Sequence, residues 1–133
     1  MPTTFTVQVQ AAIPDWQSSE VNLAPSETAD ISASGTWGVI DPRNPGNCGP
    51  GGEGIPAGKE FMLGGAPEGC LLVRDGSGNV VPYPSNGSGL KIHEPGTISF
   101  IANDDPNPPL GQGFNGFNDN SGALTVTITV SAT

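Results

Sequence analysis

Short runs of alternating hydrophobic and polar residues recur along most of the chain. The first covers Thr4–Ala11 and places Phe5, Val7 and Val9 on one face, which is the two-residue period of a half-buried strand. Similar runs follow in EVNLA, ADISASGTWG, CLLVRD, VVPY, GLKIHE, GTISFIAN and ALTVTITVSA, separated by turn residues. No segment shows a helical period. The pattern predicts about eight strands in an all-β antiparallel sandwich of the jelly-roll type.

The alternating pattern is lost between Val39 and Gly69, where Pro, Gly and Asn dominate. A connection of this length is usually functional or tied down. Since Cys48 lies within it and Cys70 directly after it, we predict a Cys48–Cys70 disulfide, which would stabilise the fold by about 3 kcal/mol and indicate an oxidising compartment. The alternative is a pair of free, partly buried thiols. Zinc is disfavoured because His93 is the only histidine and no Cys-x-x-Cys is present.

The composition is that of one folded, loop-rich domain. A chain of 133 residues buries one core, so residues 1–133 are predicted to form a single domain. The 20 Gly and 14 Pro accompany a hydrophobic fraction of 35% that is gathered into strands, which argues against disorder. The formal net charge of -9 repels polyanions, so we expect neither nucleic acid nor an anionic membrane as a partner. No apolar run is long enough for insertion into a bilayer.

The start of the chain, MPTTFTVQVQAAIPDW, has no basic region followed by an apolar core, so no signal peptide is visible. Together with the predicted disulfide, this favours one of two origins. The protein is secreted to the extracellular space by a route that needs no such leader, or it is a domain excised from a larger secreted protein.

Two polar clusters flank an irregular stretch near the end of the chain. The first is ANDDPNP and the second is the start of FNDNSGALTVTITV. Asp104, Asp119 and Asn120 supply the hard oxygen atoms that Ca²⁺ prefers. If the strands GTISFIAN and ALTVTITV pair as neighbours, both clusters lie at the same end of the sheet. The spacing is not that of an EF-hand, and the alternative is two Asx-turn loops without an ion.

Sequence motifs for catalysis are absent. The chain has no nucleophile elbow, P-loop or dinucleotide-binding fingerprint. His93 stands beside Glu94 at a strand end, where a lone histidine is more often a surface or core residue than a base. Acid pairs arise by chance among thirteen acidic residues, and they indicate glycoside hydrolysis only when their geometry is known. We therefore expect a protein that is not an enzyme.

Four segments together resemble the PA-IL (LecA) family of calcium-dependent galactose-binding bacterial lectins: VNLAPSETADISASGTWG, GCLLVRDGSG, TISFIANDD and FNDNSGALTVTITV. The resemblance covers roughly Val21 to Val130 and is weakest in the long loop. It implies a β-sandwich of two four-stranded sheets. It also implies one Ca²⁺ at the apex, which bridges the protein and a galactose-type or related diol-presenting sugar.

The resemblance assigns calcium ligands to five positions. Asp104 matches the aspartate of the family's Asn-Asp motif, and Asp119 and Asn120 match two consecutive asparagine ligands. Asp at position 119 adds a negative charge, which favours cation binding. The two backbone-carbonyl ligands fall near Val39 and Gly116. All of these except Val39 are also the expected sugar contacts, while the family's sugar-contacting histidine has no counterpart in the long loop.

These features predict a calcium-dependent lectin or carbohydrate-binding module in which sugar hydroxyls coordinate the ion. A free-standing lectin is expected to be a homo-oligomer, because several weak sites then act together. An excised module is expected to be monomeric. The alternative from another class is a structural or adhesive β-sandwich whose calcium only rigidifies a loop. We expect Trp37 to pack into the core rather than to stack on a ligand.

Overall fold

A computed structural model describes residues 2–13, 15–39, 46–52, 56–59, 61–84, 89–104 and 120–132. These residues form ten strands and no helix. The strands are β1 (Thr3–Gln10), β2 (Gln17–Leu23), β3 (Glu27–Ser34), β4 (Trp37–Val39), β5 (Gly46–Cys48), β6 (Leu71–Arg74), β7 (Val80–Pro82), β8 (Leu90–Ile92), β9 (Gly96–Ala102) and β10 (Ser121–Ala132). Every pairing between them is antiparallel, which confirms the predicted all-β antiparallel sandwich.

The larger sheet contains six strands, with β10 at its centre. β1 pairs with one side of β10, and β3 pairs with the other. Ser34 pairs with Thr125 and Trp37 with Gly122, so β4 continues β3 in the same register beyond a kink at Gly35, whose φ is 97°. β8 and β5 then flank β3 and β4 respectively. The sheet is therefore at most four strands wide, although it has six strands where the resemblance implied four.

The smaller sheet has four strands in the order β2-β9-β6-β7. Its two central strands, β6 and β9, are buried along most of their length, because their sequences are nearly continuous apolar runs. In the larger sheet β10 alternates instead: Leu124, Val126, Ile128 and Val130 are buried, and the threonines between them are partly exposed. The two inner faces form one hydrophobic core between the sheets.

The long connection before β6 is packed onto the core over its described part. Ala57 and Ala66 are buried, and Met62 and Leu63 pack against the core. The backbone N–H of Ala57 donates to the carbonyl of Ala66 at 2.7 Å. Backbone hydrogen bonds and apolar contacts therefore attach this segment to the core. The length of the connection had predicted that it would be tied down or functional.

The predicted disulfide between Cys48 and Cys70 is wrong. Both cysteines are buried, and they are not bonded to each other. The Cys48 thiol donates instead to the carbonyl of Gly69 at 3.5 Å. Burial, and to a smaller extent the neighbouring Cys48, raise the pKa of the Cys70 thiol to about 12. Because the thiolate is the form that attacks another sulfur, this burial disfavours disulfide formation, and the argument from a disulfide to an oxidising compartment no longer applies.

Within the described ranges, no helix has the length and apolar character needed to cross a membrane.

Candidate site at the junction of the long loop and strands β4, β9 and β10

The residue after β9, Asn103, fixes the long loop against the smaller sheet. Its side chain is fully buried. Its Oδ1 accepts from the backbone N–H of Leu63 at 2.9 Å, and its Nδ2 donates to the carbonyls of Leu63 at 3.1 Å and Pro67 at 3.0 Å. A side-chain amide offers one acceptor and two N–H donors, so this single side chain holds the loop backbone at two residues.

Asp104 follows Asn103 and lies in the same arrangement. Its backbone carbonyl accepts from the N–H of Met62 at 3.0 Å, and its side chain is only 3% exposed. The loop is therefore bonded to the backbone of one predicted ligand and to the side chain of the residue before it. This fixes the position at which the Asp104 backbone leaves β9.

Gly69 connects this part of the molecule to the larger sheet. Its N–H donates to the carbonyl of Asn103 at 2.9 Å, and its carbonyl accepts from the indole Nε1 of Trp37 at 2.8 Å. Trp37 is 1% exposed and begins β4, which confirms the expectation that it belongs to the core. In turn, Trp37 pairs with Gly122 in β10. A path of hydrogen bonds thus joins the end of β9 to the start of β10.

The second polar cluster reaches the described part of the chain at Asn120, directly before β10. Asn120 is buried, and its Nδ2 donates to the carbonyl of Ala11 at 2.9 Å. Since the amide nitrogen makes this bond, Oδ1 is the atom with which Asn120 would meet a cation. Gly38 pairs with Ser121, so Val39 and Asn120 each lie next in the chain to a member of this pair.

The strands that carry the clusters are not neighbours, contrary to the condition stated from the sequence. β9 lies in the smaller sheet between β2 and β6, and β10 lies in the larger sheet. The clusters are connected across the sandwich, through Gly69 and Trp37, instead of along one sheet. The difference arises because strand pairing depends on the packing of both sheets, which the two strand sequences do not contain.

Two residues of this junction have roles that the sequence analysis did not assign. Asn103 was noticed only as the residue before Asp104, yet it makes three side-chain hydrogen bonds. Glu68 is fully buried, although its surroundings in APEGC resemble an ordinary polar loop. A buried carboxylate requires hydrogen-bond donors or a cation around it. No local pattern marks the role of Asn103, since it depends on contacts with residues about 40 positions earlier in the chain.

The positions predicted as metal ligands offer oxygen atoms. Over the described ranges, no group of three or more histidine, cysteine or acidic side chains is placed to hold a metal ion. The predicted ligands there are the carboxylate of Asp104, the amide of Asn120 and the backbone of Val39. Asp119 and Gly116 lie outside the described residues. A carboxylate, an amide and a carbonyl form the kind of mixed set that Ca²⁺ accepts and that zinc or iron disfavours.

Searches against protein-family models and against curated proteins found no match to this chain.

Proposed function

We propose that the protein is a non-enzymatic, calcium-dependent carbohydrate-binding domain of the lectin type that four of its segments resemble. The observation that carries the proposal is the hydrogen-bonded path from Asn103 through Gly69 and Trp37 to the start of β10. It supports the proposal because it ties together the strand ends that precede Asp104 and follow Asn120. A cation site built from separate strands needs such rigid supports.

The chemistry proposed for the site is direct. Ca²⁺ takes six to eight oxygen ligands, and positions that the protein does not fill are open to water or to two adjacent sugar hydroxyls. Asp104 supplies negative charge, and Asn120 and Val39 supply neutral oxygens. The predicted Asp119 would add a second carboxylate. In this proposal a galactose-type or other diol-presenting sugar completes the coordination shell, and the orientation of its hydroxyls determines specificity.

The test is calcium binding followed by sugar binding. If Ca²⁺ binds only the folded state, a concentration one hundred times its dissociation constant stabilises that state by about 2.7 kcal/mol. For a domain of this size that corresponds to a melting temperature higher by about 10 °C than in chelator. Asp104→Asn keeps the shape of the side chain and removes its charge, so it should abolish this difference.

Asp75→Asn is the matched control. Asp75 is also buried, but it lies beyond the other end of β6, where its Oδ1 accepts from Ser77 and Asn79 within a tight turn. This variant is expected to lose stability and to keep the calcium-dependent shift. Titration calorimetry with galactosides in calcium and in chelator then measures the sugar. Sugar binding of equal affinity in chelator would contradict the proposal.

The burial of the ligands favours one second candidate, a calcium that only rigidifies the loops. Asp104 and Asn120 are 3% and 7% exposed, so the ion they would share is shielded on their side. A structural site predicts the same calcium-dependent rise in melting temperature with no response to any sugar. A glycan array probed with and without calcium separates the two candidates.

A further inference from the structure

Strand β1 forms an outer edge of the larger sheet, with one row of its backbone groups directed away from β10. It pairs with β10 in unbroken register over its whole length. Just after the strand, the N–H of Ala11 donates to the carbonyl of Gly122. At Gln10 both backbone groups point the other way: the side chain of Gln17 accepts from its N–H and donates to its carbonyl, each at 2.9 Å.

Backbone groups alternate in direction along a strand, so the geometry at Gln10 fixes the rest. The N–H and C=O groups of Thr4, Thr6 and Gln8 lie on the outer edge. Their side chains are exposed as well. The edge is therefore a row of three hydrogen-bonding residues that ends where Gln17 caps Gln10.

The other edges of the two sheets carry the devices that prevent pairing with further strands. β2 contains a bulge between Ser18 and Asn22, with Glu20 at a φ of 62°. β5, β7 and β8 have three residues each, and β7 ends in Pro82 while β8 carries Lys91. Within the described strands, β1 is the edge that has eight residues and neither a bulge, a proline nor a charge.

The strand β1 itself carries no charged side chain that would oppose the pairing of two copies, although Glu20 and Glu27 lie beside Thr3 and Phe5. The chain carries a net charge of -9, so two molecules repel each other over most of their surface. Residues 1–14 contain no Asp, Glu, Lys, Arg or His. An approach along β1 therefore brings together two uncharged strands.

We propose that β1 is a self-association edge, which pairs antiparallel with β1 of a second copy about a two-fold axis at Thr6. Thr6 then lies opposite Thr6, and Thr4 opposite Gln8, so the outer groups exchange about six hydrogen bonds. The same register sets Pro2 opposite Gln10. Pro2 has no N–H, and the backbone groups of Gln10 are already bonded to Gln17. The hydrogen-bond ladder therefore stops at the Pro2–Gln10 pair at each of its two ends. The two larger sheets become one continuous sheet.

Phe5 supports this register independently. Its side chain is 41% exposed, and among the described residues no other large hydrophobic side chain is exposed. In the proposed pairing it lies opposite Val7 of the second copy, which is partly buried and packs against the core. Aromatic residues opposite β-branched ones are favourable cross-strand pairs. The association thus covers the apolar surface that an isolated copy leaves exposed, and it requires no bound ligand.

Sedimentation velocity over a wide range of protein concentrations tests the proposal. The unmodified chain should shift from monomer to dimer as the concentration rises. Thr6→Lys places two lysines at directly opposed positions of adjacent strands, whose backbones are about 5 Å apart, and the repulsion between them should weaken dimerisation at least about tenfold. Thr127→Lys is the matched control, because Thr127 pairs with Thr6 on the same face of the sheet but one strand further in. The two substituted positions would be about 14 Å apart, beyond the screening length in physiological salt, so its dimer should persist.

Two further measurements distinguish loss of the dimer from loss of the fold: the Thr6→Pro variant and hydrogen exchange of the β1 amides. Proline at position 6 removes an outward N–H without removing a bond to β10, so the monomer should fold and the dimer should be lost. In the unmodified dimer the amides of Thr4, Thr6 and Gln8 should exchange more slowly than in the monomer. A chain that stays monomeric up to millimolar concentration would overturn the proposal. So would a dimer that is unchanged in both Thr6 variants.

Discussion

Replacing Asn103 with alanine should detach the long loop from the smaller sheet. The substitution removes three buried side-chain hydrogen bonds of 2.9 to 3.1 Å and leaves backbone groups of Leu63 and Pro67 without these partners. At about 1 kcal/mol for each bond, with a further cost for the polar groups left behind, the free energy of unfolding should fall by about 3 to 4 kcal/mol. That is a large part of the 5 to 15 kcal/mol typical of a domain.

Urea unfolding followed by tryptophan fluorescence measures this change directly. We expect the melting temperature to fall by about 12 to 16 °C as well. Asn22→Ala is the control, because Asn22 is an exposed residue of β2 and its loss should change stability by no more than about 0.5 kcal/mol. Limited proteolysis gives a second observable, since cleavage should begin between residues 56 and 69. If Asn103→Ala costs no more than the control, the loop is held by something other than this amide.

Two further substitutions follow from the packing. Gly76→Ala would bring a Cβ to 1.9 Å from the backbone carbonyl of Pro95, so it should destabilise clearly more than Gly78→Ala, which meets open space and costs about 1 to 2 kcal/mol through its φ of 95°; equal losses in thermal melts would refute the contact. The pKa of the Cys70 thiol is about 12 in the folded protein, above its ordinary 9.0. The buried neutral thiol therefore contributes fully to the free energy of unfolding below pH 9, and this contribution is lost as the pH rises towards 12. Stability should fall by up to about 1.4 kcal/mol per pH unit in that range. Cys70→Ala should lack this slope, and a variant that retains it would contradict the assignment.

Most of the strands were predictable because each of them carries its own signal. Alternation fixes which side chains of β10 face the core, and continuous apolar runs mark the buried strands β6 and β9. The structure has ten strands where about eight were predicted, because ADISASGTWG is divided into β3 and β4 and the short β5 lies within the stretch that lacked a strand pattern. It also differs from the prediction at an edge. Phe5, Val7 and Val9 do share a face of β1, but only Val9 is fully buried. The pattern states which side of a strand is apolar and does not state how far the opposite sheet extends over it.

The candidate site was predictable only in part. Asp104 and Asn120 stand out because oxygen-rich residues follow one strand and precede another. Their connection through Gly69 and Trp37 was not visible, since neither a glycine carbonyl nor an indole N–H leaves a mark in the sequence. For the cysteines, the sequence predicted a connection that the structure does not have. Their spacing suggested a covalent closure, whereas Asn103 and backbone bonds close the loop.

The sequence by itself determined the fold class, most of the strand positions and the acidic, loop-rich character of this protein, because these depend on the side chains of each short segment. Tertiary structure decided which strands became neighbours and which became edges. β9 and β10 lie in different sheets, Gln17 caps the end of β1, and Asn103 replaces the predicted disulfide. The physical reason is that a hydrogen bond is satisfied by any partner with the right geometry, and geometry between distant segments exists only after both sheets have packed.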